Sequence, residues 1–316
     1  MKILVTGGAG FIGSATARRL TDDGHDVVVL DNFNTYYDKQ LKLDRMEALI
    51  PNVHVANLDI TDVDGLDQLF AEHAFDVVCH FAAQAGVRYS VEAPSVYVTT
   101  NVLGTQVLLE TMRKHNVRRL VYASTSSAYG IDTPTPFKEN VSADRPVSVY
   151  AATKRAAELL AYSYHKQFGM QVTCLRFFTV YGPWSRPDMA MLKFTQKITA
   201  GESIDIYNNG DLRRDFTYID DIVQGFVLAI KTPLDYEVIN LGNGSPIELL
   251  SFIELLEKAL GKTAKKNLLP MQQGDVYETY ADTTKAKELL GFEAKTDFET
   301  GVANFVAWYK QYYPVS

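Results

Sequence analysis

Hydrophobic and polar positions alternate regularly along the first half of the chain. Short apolar, β-branched runs are separated by longer stretches in which apolar residues recur every three or four positions. The predicted strands cover 2–6, 26–30, 53–57, 76–81, 119–124 and 171–178, and the predicted helices cover 12–22, 62–73, 93–116 and 148–168. Strands and helices that alternate at this spacing indicate a parallel sheet with helices on both faces.

The pattern changes after residue 178. The segment 181–188 is rich in proline and aromatic residues and is predicted to be a loop. Helices are then predicted at 190–200, 220–231, 246–260, 284–290 and 299–312, and strands at 204–207, 215–219 and 236–241. We therefore expect two domains, with 1–178 plus 216–242 forming the domain of the main sheet and 179–215 plus 243–316 forming a smaller, substrate-binding α/β domain.

Glycines follow the first predicted strand directly. Gly7, Gly10 and Gly13 allow a tight turn and a close approach of the backbone to a pyrophosphate, and the next helix offers free N–H groups at its N-terminus. Asp31 ends the second strand, where a carboxylate can accept hydrogen bonds from an adenosine ribose and repels a 2′-phosphate. The pattern predicts a Rossmann-type doubly wound sheet whose domain binds NAD; a glycine-rich turn without a ligand is the alternative.

Composition and charge exclude several classes of function. The chain has 316 residues, of which 47% are hydrophobic, so it can bury a large core. Its net charge of −7 gives no general attraction for nucleic acid or anionic membranes, and no apolar run is long enough to span a membrane. Cys79 and Cys174 lie in predicted buried strands and are interpreted as core thiols, so no metal site is predicted. We expect a cytoplasmic protein.

A tyrosine and a lysine are the first candidate catalytic pair. Tyr150 and Lys154 are four residues apart in a predicted helix and therefore share one face. A lysine ammonium, or a positively charged nicotinamide, lowers the pKa of a nearby phenol and favours a phenolate that can remove a proton from a hydroxyl. Taken alone, the pair also fits a surface tyrosine beside a lysine. The dinucleotide motif in the same sheet makes catalysis the leading hypothesis.

Hydroxyl side chains end the strand at 119–124. Ser124, Thr125, Ser126 and Ser127 are predicted at the carboxyl edge of the sheet, where they can orient a substrate hydroxyl or relay its proton to Tyr150. Capping of the following turn is the structural alternative for such residues. We assign a catalytic role to Thr125.

Several longer motifs extend this pattern. They occupy 7–13, 31–37, 80–88, 104–105, 123–130, 176–188 and 214–217, together with Asn101, Tyr150 and Lys154. In these motifs the chain resembles the nucleotide-sugar branch of the extended short-chain dehydrogenase/reductase family, and within it the UDP-glucuronate 4-epimerases. The resemblance covers essentially the whole chain. The motifs at 32–37, 84–88 and 183–189 are typical of fewer relatives than the glycine motif and the tyrosine–lysine pair, which occur across the family. The expected substrate therefore depends on these three motifs.

The resemblance implies roles for individual residues. Those expected to bind the cofactor, with the pyrophosphate at the glycines, the ribose at Asp31 and adenine at Asp59, are Gly7, Gly10, Phe11, Ile12, Gly13, Asp31, Asn32, Asp59, Ile60, Phe81, Ala82, Ala83, Tyr150 and Lys154. Those expected to bind the substrate, with Arg214 at the diphosphate, are Arg88, Asn101, Thr125, Ser126, Ser127, Tyr150, Thr179, Arg186, Lys193, Arg214 and Asp275.

The resemblance also implies the reaction: NAD⁺-dependent inversion at C4 of a UDP-sugar through a 4-keto intermediate. Related dehydratases and UDP-glucuronate decarboxylases carry carboxylates after the catalytic threonine, whereas this chain has Ser126 and Ser127. These serines and Arg186 are expected to restrain the sugar carboxylate against loss of CO₂. UDP-glucose/UDP-galactose 4-epimerases, which accept a neutral 6-hydroxymethyl group, are the nearest alternative, and Ser185 and the turn at 272–275 depart from the glucuronate pattern without touching the chemistry.

Two further alternatives belong to other classes. An inactive NAD-binding regulator is expected to have lost one of Thr125, Tyr150 and Lys154, and all three are present. A net oxidoreductase would exchange its NAD in each cycle, whereas an epimerase keeps it. The apolar faces of the predicted helices 93–116 and 148–168, together with the resemblance, predict a homodimer, although these helices can also pack internally.

Overall fold

The computed structural model describes residues 1–271 and 276–313. Its strands are β1 (Lys2–Thr6), β2 (Asp26–Asp31), β3 (His54–Asn57), β4 (Val77–His80), β5 (Arg119–Thr125), β6 (Gln171–Phe177), β7 (Thr179–Tyr181), β8 (Ser203–Ile206), β9 (Arg213–Tyr218), β10 (Tyr236–Leu241), β11 (Pro246–Glu248), β12 (Lys265–Leu268) and β13 (Glu278–Thr279). Seven of them form one parallel sheet in the order β3-β2-β1-β4-β5-β6-β10. The predicted Rossmann-type α/β fold is confirmed.

Helices connect and cover these strands. They are α1 (Phe11–Asp22), α2 (Lys39–Leu49), α3 (Val63–Glu72), α4 (Tyr89–Glu92), α5 (Pro94–Tyr97), a π-helical turn (Val98–Leu103), α6 (Gly104–Lys114), α7 (Val149–Phe168), α8 (Ala190–Ala200), α9 (Ile219–Lys231), α10 (Leu249–Leu260), α11 (Thr284–Leu290) and α12 (Phe298–Tyr312). Two 3₁₀ turns lie at Ser126–Tyr129 and Tyr207–Gly210.

The central strands bury both of their faces. Alternate residues of β1 point to opposite sides, so Ile3 and Val5 pack in the core beneath α1 and α9, whereas Leu4 packs in the core beneath α3, α6 and α7. This explains why the strands are continuous apolar runs in the sequence. The same packing fixes the carboxyl ends of β1, β2, β4 and β5 along one edge.

A second, four-stranded sheet is built around β9. Its first half pairs with β11 on one side and β13 on the other, and its second half pairs with β7. Strands β8 and β12 pair with each other in a separate two-stranded sheet. The segment 216–242 was predicted to return to the main sheet. Strand β10 does so, whereas β9 belongs to the smaller sheet. The division into two domains stays a prediction.

Some predicted elements differ from the structure. The helix expected from residue 246 begins at Leu249, because Pro246–Glu248 pairs with β9 as a strand. The helix expected at 93–116 is broken into α5, the π-helical turn and α6. Helix α2 was missed because its buried face carries Lys42 and Arg45, which removes the apolar periodicity. The expected strands and helices of the first half otherwise lie close to those observed.

Candidate active site

A cavity opens at the carboxyl ends of the main-sheet strands. Most of the residues predicted to bind a dinucleotide line it. They are Gly7, Gly10, Phe11, Ile12, Gly13, Asp31, Asn32, Ile60, Phe81, Ala82, Ala83, Tyr150 and Lys154, and Thr125 and Arg186 line the same cavity. The structure therefore brings the glycine loop, the tyrosine–lysine pair and one arginine of the loop 183–189 to a single site.

The glycine loop fits a pyrophosphate. Gly7 has φ +67° and packs so closely on the segment after β4 that a Cβ would lie 2.6 Å from the nitrogen of Ala82. Helix α1 begins after Gly10, which gives no side-chain cap, and no acidic residue lies in its first turn. The N–H groups of this turn therefore remain available to an anion at the positive end of the helix.

Asp31 lines the same cavity and is 6% exposed. Its Oδ2 accepts from the Ala9 N–H at 3.2 Å, and its Oδ1 accepts from Phe33 N–H at 2.8 Å and from Lys42 Nζ at 3.4 Å. Lys42 also donates to Asn34 Oδ1 at 3.2 Å and lines the cavity. These hydrogen bonds hold the Asp31 carboxylate in a fixed position at the wall of the cavity, and its predicted role toward a ribose stays a prediction.

Helix α7 presents Tyr150 and Lys154 to the cavity. The helix begins after Ser148, whose hydroxyl accepts from the Ala151 N–H at 3.1 Å. Burial raises the pKa of Tyr150, and Arg186 and the Thr125 hydroxyl act against burial by favouring the phenolate. The predicted effect of Lys154 on this phenol stays a prediction: its ammonium lies 4.2 Å from the centre of the Tyr122 ring, and burial lowers its pKa to about 7.

A buried carboxylate lies one turn beyond Lys154. Glu158 accepts from Ser124 Oγ at 2.5 Å, from Arg155 Nη1 at 2.8 Å, and from Arg176 Nε and Nη2 at 2.9 and 2.7 Å. Its charge opposes the effect of burial on the pKa of Lys154. Glu158 therefore ties β5, which carries Thr125, to α7, which carries Tyr150 and Lys154.

A second cavity adjoins the first. Two predicted substrate residues, Arg88 and Lys193, line it together with Asp188 and Tyr207, and the guanidinium of Arg88 lies 5.4 Å from the centre of the Tyr207 ring. Tyr36 lines both cavities. The two cavities are therefore neighbours, separated at one point by a single side chain.

Other predicted residues line neither cavity. Asp59 accepts from Asn32 Nδ2 at 2.7 Å and from Thr61, and Asn101 exchanges hydrogen bonds with the backbone of Gln84. Ser126 and Ser127 form the 3₁₀ turn after β5, Thr179 begins β7, and Arg214 lies in β9 with Nη1 donating to two carbonyls. Asp275 lies outside the described residues. The roles of all these residues stay predictions.

Comparisons with known proteins agree with this geometry. The model of the NAD dependent epimerase/dehydratase family matches residues 3–242. The chain belongs to this family. A family relative, the UDP-glucuronate 4-epimerase of Thermodesulfobacterium geofontis, is 45% identical over 311 residues, covering 98% of this chain and 96% of the relative.

Two solved structures of epimerases resemble the whole chain. The UDP-glucuronic acid 4-epimerase of Bacillus cereus, in complex with UDP-glucuronic acid and NAD, has a TM-score of 0.93 and 37% identity, covering 99% of this chain and 100% of that one. The UDP-glucose 4-epimerase of Thermotoga maritima, with UDP-glucose, has a TM-score of 0.91 and 33% identity, covering 99% of both chains. The resemblance predicted from the motifs is confirmed.

Sequence reasoning missed the residues of this site that lie on α2. Arg45 is fully buried, and it donates to the carbonyls of Ala9, Trp184 and Ser185 at 3.3, 2.9 and 3.3 Å and to the Tyr37 hydroxyl at 2.6 Å. It therefore joins the glycine loop to the loop 183–189. The available signal was Asp38, a helix N-cap that accepts from Gln40 N–H at 2.9 Å before a run of helix-forming residues.

No transmembrane span is found: among residues 1–271 and 276–313, every helix is too short or too polar to cross a bilayer. The described cysteines Cys79 and Cys174 are both free and buried, as the sequence predicts. Burial raises the pKa of both thiols, which makes them inert core side chains.

Proposed function

We propose that the chain is an NAD-dependent UDP-sugar 4-epimerase that interconverts UDP-glucuronate and UDP-galacturonate. The observation that carries this proposal is the position of Arg186, which shares the cavity of the glycine loop and favours the ionised form of Tyr150. A guanidinium beside the proton-abstracting phenol suits a sugar that carries its own carboxylate. The identities with UDP-glucuronate 4-epimerases support the same substrate.

Side chains of the protein remove and return the proton of the sugar 4-hydroxyl. Tyr150 Oη removes this proton, and the Thr125 hydroxyl orients the substrate oxygen and stabilises the phenolate. NAD⁺ bound at this cavity would supply the acceptor of the C4 hydride, and its reduced form, NADH, would supply the donor. The 4-keto sugar must present its other face before the hydride returns, and Tyr150 then returns the proton to the inverted oxygen.

The carboxylate of the sugar must be restrained while C4 is a ketone, because a β-keto acid loses CO₂ readily. We assign this task to Ser126 and Ser127, which follow Thr125 in the 3₁₀ turn, and to Arg186. Neutral hydroxyls give hydrogen bonds without an acid or base that would promote elimination. This separates the proposed epimerase from decarboxylases and dehydratases.

The remaining predicted contacts belong to the same proposal. Asp59 supports the adenine side through Asn32, with which it shares a hydrogen bond. Arg88, Lys193, Arg214 and Asp275 are assigned to the UDP portion, and Asn101 and Thr179 to the sugar side. We assign Lys154 to the cofactor, near its nicotinamide half, because it is buried at the wall of the cavity beside Tyr150.

A homodimer is part of the proposal. Apolar side chains are exposed on the adjoining outer surfaces of α4, the π-helical turn and α7, notably Val91 at 76%, Val98 at 51% and Leu159 at 53%. Helical faces of this kind are suited to pairing with a second copy. Analytical ultracentrifugation should give a dimer, and Leu159→Glu should shift it to a monomer; a monomeric wild type contradicts the proposal.

A cytoplasmic location is also proposed. Its support is the pair of free cysteines, which is typical of a reducing compartment. Fractionation of the source cells with an antibody against the chain tests it, and recovery in an extracellular fraction contradicts it.

The central experiment uses purified protein without added NAD. UDP-glucuronate and, separately, UDP-glucose are incubated with it, and the products are resolved by NMR. UDP-glucuronate should give its C4 epimer and UDP-glucose should not; epimerisation of UDP-glucose instead indicates the neutral-sugar alternative, for which the Thermotoga maritima structure is a precedent. Tyr150→Phe should abolish turnover, whereas Tyr164→Phe, on the same helix and bonded to Glu110, should not.

A further inference from the structure

Three segments meet at one point in the structure, and each carries a motif that is typical of a smaller group of relatives than the whole family. Tyr36 comes from the loop after β2, Gly86 from the segment after β4, and Asp188 from the loop 183–189. The Tyr36 hydroxyl occupies the place where a Cβ on Gly86 would stand, and Gly86 has φ +98°. From that place the hydroxyl donates to Asp188 Oδ2 at 3.2 Å.

Asp188 in turn holds Arg186. Arg186 donates from Nε to Oδ1 at 2.9 Å and from Nη2 to Oδ2 at 3.1 Å, so the carboxylate fixes the plane of the guanidinium with a two-bond fork. Across the described parts of the chain, Nη1 of Arg186 has no hydrogen-bond partner. Nη1 is therefore the nitrogen that a sugar carboxylate can take.

Arg186, Asp188 and Tyr36 lie where the two cavities meet. Arg186 lines the cavity of Tyr150, Asp188 lines the second cavity, and Tyr36 lines both. A nucleotide sugar that reaches Tyr150 from the second cavity must pass beside these three residues. Burial raises the pKa of Asp188, but Arg186 more than offsets this and holds the pKa below its usual range, so Asp188 stays ionised near neutral pH.

The backbone of the loop is held separately. Arg45 binds the carbonyls of Trp184 and Ser185 at 2.9 and 3.3 Å, two and one residues before Arg186. The carboxylate of Asp188 therefore sets the side chain of Arg186, while Arg45 sets the path of the loop. Removing the carboxylate should free the guanidinium without unfolding the loop.

We infer that Asp188, held in place by Tyr36, is a positioning residue that aims Arg186 at the sugar carboxylate and so makes the site select a charged sugar over a neutral one. This inference rests on the proposed function. It concerns orientation: the ligand carboxylate binds the guanidinium edge that Asp188 leaves open. A neutral hydroxymethyl group gains no charge-assisted bond there.

Calorimetric titration of the NAD-bound protein with UDP-glucuronate and UDP-glucose tests the inference. Asp188→Asn should weaken binding of UDP-glucuronate by about 10- to 100-fold, because the amide places an N–H against the fork, and should change UDP-glucose binding less than about threefold. Tyr36→Phe should weaken only UDP-glucuronate, by about fivefold. Asp44→Asn is the matched control, since Asp44 also accepts from a tyrosine hydroxyl, that of Tyr312, and lines neither cavity.

The outcomes separate the two levels of the proposal. Equal weakening of both nucleotides in Asp188→Asn assigns Asp188 a general structural role and overturns the inference. Unchanged or tighter UDP-glucuronate binding also overturns it, since tighter binding would make Asp188 a competitor of the ligand. A wild-type protein without preference for UDP-glucuronate overturns the proposed substrate together with the inference, whereas a preference that is undiminished in Asp188→Asn overturns the inference alone.

Discussion

Two arginine–carboxylate pairs of the same design are connected to side chains that line the active-site cavity. In each, a carboxylate takes a two-bond fork from an arginine and a further bond from a hydroxyl: Glu158 from Arg176 and Ser124, and Asp188 from Arg186 and Tyr36. They differ in burial. The side chains of Glu158 and Arg176 are 0% and 3% exposed, and those of Asp188 and Arg186 are 31% and 27% exposed.

This difference assigns the pairs to different tasks. A dry pair cannot lose one partner without leaving a charge unsolvated, so Glu158 and Arg176 act as a fixed joint between β5, β6 and α7. A half-exposed pair exchanges partners at little cost, so Arg186 can share its guanidinium with a ligand. The same chemical group is thus structural in one place and selective in the other.

The largest expected effect comes from breaking the dry pair. Glu158→Gln keeps the shape of the side chain but leaves Arg176 and Arg155 without a counter-charge. We expect a loss of about 3–5 kcal/mol in the free energy of unfolding, measured by urea denaturation. A loss below about 1 kcal/mol would place this pair in the same energetic class as Arg186 and Asp188.

The second expected effect is a pH dependence from Lys154, which shares the face of α7 with Glu158. Burial lowers its pKa from 10.5 to about 7, against the charge of Glu158. Between these pH values the unfolded chain binds a proton that the folded chain has released, so the free energy of unfolding rises as the pH rises through this window.

The rise should be on the order of 3 kcal/mol between pH 7 and 10 in the wild type. It should be absent in Lys154→Met. Urea unfolding at each pH gives the free energy of unfolding of both proteins. In the difference between them, the contributions of titrating groups that the two proteins share cancel. A parallel rise in both proteins would show that Lys154 is not its source.

A third pair, Asp31 with Lys42, is nearly as dry as Glu158 with Arg176 but faces the cofactor cavity. Asp31→Asn removes the charge that would accept the ribose hydroxyls of NAD. We expect NAD affinity to fall roughly 10- to 100-fold, measured by calorimetry on protein stripped of cofactor. Asp44→Asn, which lies on α2 with Lys42 but outside the cavity, should bind NAD as the wild type does.

The smallest expected effect is the stability of Asp188→Asn. The half-exposed pair should contribute less than about 1 kcal/mol to the free energy of unfolding without nucleotide, although the same substitution weakens UDP-glucuronate binding. Urea denaturation of Asp188→Asn and Glu158→Gln compares the same chemical change, a carboxylate replaced by an amide, in both pairs. Equal losses in the two variants would remove the distinction between them.

The sequence predicted the fold and most of the cofactor cavity. Gly7, Asp31 and Tyr150 are identified by local spacing, and the ends of parallel strands bring such residues together without any need for tertiary detail.

The contacts of charged residues were not predictable in the same way. Arg45 lies 139 residues from Trp184, and Tyr36 lies 152 residues from Asp188, so only the folded chain shows that they meet. The helix that carries Lys42 and Arg45 lacks an apolar face because these two residues are buried by hydrogen bonds. The effect of Lys154 on Tyr150 stays a prediction, since spacing on a helix gives proximity but not direction.

Strand β9 has a consequence for any attempt to divide the enzyme. Its neighbours β7, β11 and β13 arrive from three distant stretches of sequence, and the chain then runs directly into α9 and β10 of the main sheet. No single cut therefore separates a nucleotide-sugar half from a dinucleotide half. Fragments ending before β13 would expose an unpaired strand edge and aggregate, so engineered swaps of sugar preference must exchange individual loops.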